Sequence, residues 1–458
     1  MDFEEAIAYM SSLLRFGWKL GLDRFEALCE RLGNPHRRYR VIHITGTKGK
    51  GSTTAMAAAI LQEAGYRVGG YYSPYVYDPC ERVVLNGEKI PREDFARLVT
   101  LIRPYIEELA RGPHGQTTEF ELKTALGFCY FAEQKVDWAC VEVGLGGRLD
   151  ATNIVQPDAT VITNIGLDHM HILGDTHAKI AAEKAGIIKC GIPCFTATDH
   201  PDALEVIQRT ALQKEAPLAR VLPGKASHPT YDPTRVIWQL EVSERASDLE
   251  KQTARVTIAT PTRLYTELEV RMDGIYQRAN AACAVAAVES ALLHQGVQLN
   301  EEAVRRGLAR CTLPGRMEVT KLTNRRFLVR DGAHNGMAAQ ALLGPVDAIY
   351  RRENLKRLLF VTGMLSGHDP DEVLSLFAAK AAHVYCSQPD WKRALPKEQV
   401  AEVARRYCPS VTIHPTVRDA LQAALDDSRA GDLILVTGSF YTVGEARIEE
   451  IASDQVLH

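Results

Sequence analysis

The sequence has no apolar run long enough to cross a bilayer, and its acidic start, "MDFEEAIAYM", lacks the features of a secretion signal. It has almost no excess charge. A formal net charge of -3 over 458 residues gives no reason to expect a polyanionic partner such as nucleic acid. Its 10 cysteines follow no disulfide framework. The nearest pair, Cys190 and Cys194 of "CGIPC", has no second Cys/His pair nearby and reads as buried small apolar residues rather than a zinc site. Short-period repeats and low-complexity tracts are missing too. These absences leave a cytoplasmic monomer with reduced thiols, acting on small molecules without membrane or nucleic acid.

What is present is ordinary globular composition, 46% hydrophobic and 24% charged, in a chain too long for one core. Two domains are therefore expected. "RVIHIT" (40–45) is a β-branched run, and "GSTTAMAAAILQEAGY" reads as a helix closed at Gly65. Further strand-like runs, "RVGGYY", "VDWACVEV", "DATVITNI" and "IPCFTAT", alternate with helical segments such as "ELKTALGFCYFAEQ" and "THAKIAAEKAGIIK". That alternation predicts a mainly parallel sheet with helices on both faces. Between about Leu218 and Val270 the character changes, and "TRVIWQLEVS" and "ARVTIAT" read as appended antiparallel strands. After the helix "YQRANAACAVAAVESALLHQG" and the break "TLPGR", alternation restarts with "RFLVRDGAHN", "RLLFVTGM", "AHVYCS" and "DLILVTGS". The expected division is 1–313 and 314–458, hinged near Pro314-Gly315.

"TGTKGKGS" fails the general phosphate-loop pattern. Only Thr47 and Lys48 separate Gly46 from Gly49-Lys50, and Gly51 intervenes before Ser52. The context still favours an anion site, because strand, glycine loop and helix follow in order. Glycines let successive N–H groups turn toward phosphate, and the helix adds its positive end. Lys50 is placed to reach terminal phosphates, with Lys48 earlier in the turn. An ordinary strand-to-helix turn with solvated lysines is the plainer alternative.

Three more apolar strands end in polar residues, where open α/β sheets bind ligands. "VDWACVEVGLGGRLDATN" carries Glu142, Arg148 and Asp150; "VITNIGLDHMHILG" carries Asn164, Asp168 and His169; "GGYYSPYVYD" carries Ser73. A carboxylate, a hydroxyl and a neutral imidazole can hold magnesium against phosphate oxygens. Singly each has a plainer role: Glu142 pairing with Arg148, His169 as a surface loop residue, Ser73 capping a turn.

Together, "GTKGKGS", "EVGLGGRLDATN", "LDHMHILG", "EKAGIIK", "LPGR", "DGAHN" and "TGSFYTVGEAR" resemble the folylpolyglutamate synthase/dihydrofolate synthase family of Mur-type ligases, especially its bacterial bifunctional type. The match runs in order from "FGWKLGLDR" to "GSFYTVGEAR", nearly the whole chain. The resemblance implies an α/β fold: a Mur-ligase-like P-loop domain with a mostly parallel sheet, then a smaller Rossmann-like domain. It implies ATP phosphates on Gly49, Lys50, Gly51 and Ser52, adenine near Asn280, and further ATP contacts from Arg316, Asp331 and His334. Two magnesium ions on Ser73, Glu142 and His169 are implied, as is a carbamylated lysine at Lys184. By itself Lys184 reads as a solvated helix lysine. Thr118, Phe120, Leu149, Asp150 and Ala151 resemble pieces of a pterin pocket.

The implied reaction joins L-glutamate to dihydropteroate or a reduced folate through an acyl phosphate, with Lys50, Lys184 and His334 as catalytic groups. A Mur-type ligase with another carboxylate acceptor is the runner-up, and a nucleotide-binding module without catalysis the reading from another class. The chain departs from the family pattern at Lys48 (commonly Asn), Tyr75 ("SPYV" for "SPHL"), Tyr276 (often His) and Gly336 (usually Pro).

Overall fold

The computed structural model describes residues 1–16, 21–241, 255–271 and 276–457. Of the stretches quoted above, residues 17–20, 242–243 and 254 lie outside these. The strands are β1 (Arg40–Thr45), β2 (Val68–Tyr71), β3 (Val83–Leu85), β4 (Glu88–Lys89), β5 (Trp138–Glu142) and β6 (Ala159–Ile162). There follow β7 (Cys194–Thr196), β8 (Leu218–Pro223), β9 (Arg235–Glu241), β10 (Arg255–Ala259) and β11 (Leu264–Glu269). A second set comprises β12 (Glu318–Leu322), β13 (Arg326–Arg330), β14 (Arg357–Thr362), β15 (His383–Cys386), β16 (Val411–Ile413) and β17 (Asp432–Thr437).

Among the described residues these strands form two sheets, ordered β11-β10-β9-β8-β7-β6-β1-β5-β2-β3-β4 and β12-β13-β17-β14-β15-β16. The first is parallel from β9 to β2 and antiparallel at both edges. The antiparallel expectation beyond Leu218 therefore needs a correction at its start. β9 and β10 do pair antiparallel, but β8 pairs parallel with both β7 and β9. The crossover helix Pro201–Gln213 before β8 returns the chain in the parallel sense, which a reading of strand composition alone misses.

β1 lies at the centre and is buried from Val41 to Thr45, as a strand covered on both faces must be. Helix Lys50–Glu63 leaves it through Gly49, whose φ of 85° is left-handed. Helices Tyr276–Leu293 and Glu301–Arg310 pack beside that helix. At Gly307 the approach is so close that a Cβ would stand 2.8 Å from the Ile60 backbone. The helix behind the glycine loop is thus held on three sides by apolar packing.

β1 also carries a buried polar device. His43 Nε2 meets the Thr152 hydroxyl at 2.9 Å, and that hydroxyl donates to Asp150 Oδ1 at 2.6 Å. His43 is therefore the donor to Thr152 and stays neutral. Burial, then Lys189, pushes its pKa down to about 3. The unfolded chain takes up this proton near the ordinary histidine value while the folded chain refuses it. Stability from this group is accordingly complete above that value and lost as pH falls toward 3. Urea unfolding between pH 7 and pH 4 should show His43→Gln with a slope shallower by up to ~1.4 kcal/mol per pH unit. Identical slopes would contradict the neutral assignment.

Candidate active site

Four adjacent strands of the first sheet, β6-β1-β5-β2, end side by side and release the candidate residues. Glu142 is the last residue of β5, level with Ile44 of β1. The glycine loop is keyed into the end of β6. Thr47 N–H donates to Asn164 O at 2.9 Å, Lys48 N–H to Asn164 Oδ1 at 2.8 Å, and the Thr163 hydroxyl to Lys48 O at 2.6 Å.

The two loop lysines have different surroundings. Lys50 Nζ reaches only backbone carbonyls, Gly46 O at 3.2 Å and Thr47 O at 3.5 Å. Among the described residues it has no carboxylate within ion-pair distance. Burial, opposed by Glu142 and Asp168, lowers its pKa. Lys48 instead ion-pairs with Asp168 Oδ2 at 2.9 Å. Its charge is offset locally, so it adds little to the positive field at the loop.

On the other side of the loop, Ser73 N–H donates to Glu142 Oε2 at 3.0 Å, and a Cβ on Gly51 would lie 3.3 Å from the same oxygen. Glu142 is buried, and burial raises its pKa against the pull of Lys50. Among the described residues the buried Ser73 hydroxyl has no partner, and neither have those of Thr53 and Thr54. Arg148, the partner Glu142 had as its plainer alternative, pairs with Glu183 at 2.7 Å. His169 follows Asp168 at a φ of 51° with its side chain 45% exposed, as its surface-loop alternative has it, and partial desolvation, opposed by Asp168, lowers its pKa to about 4. A buried carboxylate, an orphaned hydroxyl and a neutral imidazole are a donor set suited to a hard divalent ion.

Lys184 is not the solvated helix lysine of the plainer reading. It is 4% exposed and donates to Gly46 O at 3.0 Å. Burial, then Lys50, drives its pKa well down. The family-implied nucleotide residues gather on the loop as well. A Cβ on Gly49 would stand 2.4 Å from Asn280 Oδ1; Asn280 donates to Gln277, and Gln277 to the Ser52 hydroxyl at 3.3 Å.

The second sheet supplies the opposite wall. Arg316 lies 4.2 Å over the Phe440 ring and faces Gly51, Ser73 and Glu142 across a narrow cleft that Pro314 also lines. Asp331 spends its carboxylate on Met317 N–H and Ala333 N–H, both within 2.9 Å, so it shapes the turn after β13. His334 follows on that turn.

The proposed acceptor residues are contiguous. Thr118 caps helix Glu119–Glu133, and Phe120 packs on Gly144, whose Cβ would sit 2.4 Å from the ring. Asp150 accepts from Leu145 N–H, Thr152 N–H and the Thr152 hydroxyl. Leu149 is half-buried beside it and Ala151 buried. Sequence reasoning passed over the charges here. Arg82 is buried 5.7 Å from the Phe120 ring, and Lys123 pairs with Glu119 while standing 5.4 Å over Tyr75. The spacing of Glu119 and Lys123 signals a helical ion pair, though not its burial. Tyr441, stacked on Trp391 at 4.4 Å, faces this group from the second unit.

A short glycine loop at the carboxyl edge of a parallel sheet, closed by a second α/β unit, defines a Mur-type ligase. Residues 44–288 match the Mur ligase middle domain, and 315–440 the Mur ligase glutamate ligase domain. Within that class the chain belongs to the dihydrofolate synthase/folylpolyglutamate synthase family, ATP-dependent ligases that add glutamate in folate metabolism. It is 34% identical over 446 residues to the dihydrofolate synthase/folylpolyglutamate synthase of Bacillus subtilis, covering 97% of this chain and 98% of that one. Among solved structures it is similar to Escherichia coli FolC in complex with DHPP and ADP, with a TM-score of 0.82 and 30% identity, covering 99% and 98% of the chains. Mycobacterium tuberculosis folylpolyglutamate synthase complexed with ADP gives a TM-score of 0.83 at 29% identity, covering 97% and 98%. Among the described residues no helix is long and apolar enough to cross a membrane.

Proposed function

We propose that this chain joins the carboxylate of dihydropteroate, or of a reduced folyl glutamate, to the amine of L-glutamate at the expense of ATP. The observation that carries the reading is the ammonium of Lys50. It is half-buried on the glycine loop, among the described residues it meets only backbone carbonyls, and it lies on the loop that faces Arg316, a placement suited to an anion. The acceptor carboxylate attacks the γ-phosphorus, ADP leaves, and an acyl phosphate forms. The glutamate amine then adds to the carbonyl carbon, phosphate departs, and the amine loses a proton. Lys50 and Arg316 stabilise charge on the transferring phosphoryl group.

Ser73, Glu142 and His169 would hold magnesium, which supplies charge neutralisation at the phosphates. Among the described residues no three His, Cys, Asp or Glu side chains form a metal cage, so phosphate and hydroxyl oxygens would complete the shell. A carbamate on Lys184 would add an anionic ligand for a second ion, and a neutral buried amine is the form that takes up carbon dioxide. Gly49, Gly51, Ser52, Asn280 and Asp331 shape the nucleotide site, and His334 positions the γ-phosphate or the amine. Thr118, Phe120, Leu149, Asp150 and Ala151 line the acceptor.

In this reading 1–313 and 314–458 work as two units, and one copy suffices because both walls come from a single chain. A cytoplasmic monomer suits its unpaired thiols. The buried charges of Arg82 and Lys123 favour keeping a second carboxylate acceptor in the comparison. Purified protein with ATP, magnesium and glutamate should release phosphate with dihydropteroate and with tetrahydrofolate, and not when glutamate is left out. Silence with both acceptors refutes the proposal, and release only with an unrelated carboxylate supports the runner-up ligase.

A further inference from the structure

Lys48 stands in the phosphate loop, yet its ammonium is engaged elsewhere. Besides Asp168 at 2.9 Å, it meets His334 Nε2 at 3.3 Å. These partners come from different sheets: Asp168 leaves the end of β6 and His334 the end of β13. The near end of the contact is fixed, because the Lys48 backbone is bonded to Thr163 and Asn164.

The far end is fixed as well. His334 Nδ1 lies 2.8 Å from Gly332 O, which can only accept, so Nδ1 carries the proton. The neutral ring then presents Nε2 as a lone pair, the partner an ammonium needs. Asn335 adds a second tie across the same gap. Its Nδ2 donates to Asp168 Oδ2 at 3.4 Å while its Oδ1 accepts from Ala338 N–H at 3.0 Å, capping helix Gly336–Arg352. Asp168 therefore receives donors from both units of the chain, Lys48 Nζ and the His169 N–H from the first and Asn335 Nδ2 from the second. A third contact lies nearby, where a Cβ on Gly166 would stand 2.4 Å from Met337 Cε.

We propose that Lys48 is a positioning residue, which locks His334 in the Nδ1–H tautomer and ties the second unit to the phosphate loop through the Lys48–Asp168–His334 contact. With its charge neutralised by Asp168, Lys48 works by geometry and not by attracting phosphate. The inference rests on the ligase reading only for its kinetic consequence; the contact itself is testable without turnover.

The test combines two measurements on the full-length protein. In ¹⁵N spectra of the histidine rings, assigned by the loss of one signal in His334→Asn, His334 should show a protonated Nδ1 and an accepting Nε2. Lys48→Ala and Lys48→Asn should both shift that signal, whereas Lys48→Arg should largely restore it. An unmoved His334 signal in a folded Lys48 variant overturns the proposal, whatever the activity. In the phosphate-release assay, Lys48→Ala should lower kcat about 10-fold and move the KM for ATP less than about threefold, as expected when alignment rather than nucleotide affinity is lost. His334→Ala and the double variant should then lose equal activity, because one contact is being broken twice. Losses that multiply would mean the residues act independently and would also overturn it. Wild-type protein that releases no phosphate refutes the ligase reading alone, and the spectra still decide on the contact.

Discussion

Lys50→Ala is expected to remove at least ~10³-fold of kcat/KM in the phosphate-release assay, the scale of losing a main electrostatic stabiliser at a transferring group. Lys48→Ala should cost only about 10-fold, through positioning. The difference follows from their partners. Lys48 is matched by Asp168 at 2.9 Å, whereas among the described residues Lys50 touches only Gly46 O and Thr47 O and keeps its charge for the phosphates. In a half-buried site that charge is screened less than it would be in open water. Removing it should leave the fold intact, since among the described residues its only partners are carbonyls of its own loop. Circular dichroism and melting of Lys50→Ala should match wild type. Comparable kinetic losses in the two variants would contradict the assignment of Lys50 to phosphate.

Lys184→Met is the second large effect, with loss of activity and gain of stability in one variant. A buried ammonium whose neighbours include Lys50 destabilises the fold unless it gives up its proton. Methionine fills a similar volume without that cost, so thermal unfolding should shift upward by a few degrees. If Lys184 carries the proposed carbamate, activity should fall on the order of 10²-fold or more, because methionine cannot form one. The covalent state has its own readout. Intact mass measured gently in bicarbonate should show one added carbon dioxide on wild type and none on Lys184→Met. Full activity in the variant would exclude any role for Lys184.

Local patterns read well from the sequence where neighbours along the chain decide the outcome. β1, Gly49 and helix Lys50–Glu63 follow from a β-branched run, a left-handed glycine and an alanine-rich stretch closed at Gly65. Strand ends carrying Ser73, Glu142 and Asp168 were equally legible, because apolar runs ended there. What could not be read depends on partners beyond the local segment. Lys184 resembles any helix lysine until the fold buries it under Gly46, 138 positions earlier. Lys48 looks like surplus charge until β6 brings Asp168 and the second sheet brings His334. Arg148 sits six residues from Glu142, yet the turn between them carries it to Glu183. Lys123 and Glu119 show helical spacing, but their closeness to Phe120 and Tyr75 comes from the way separate segments meet.

The bonds that key Thr47 and Lys48 into the end of β6 decide when the loop becomes ordered. A free glycine-rich loop would give up ~1–2 kcal/mol of backbone entropy per residue on closing round a ligand. Here that ordering accompanies folding, through Asn164 and Thr163, before any nucleotide arrives. An incoming polyphosphate would meet a loop already ordered, and its binding energy would not be diminished by fixing that backbone.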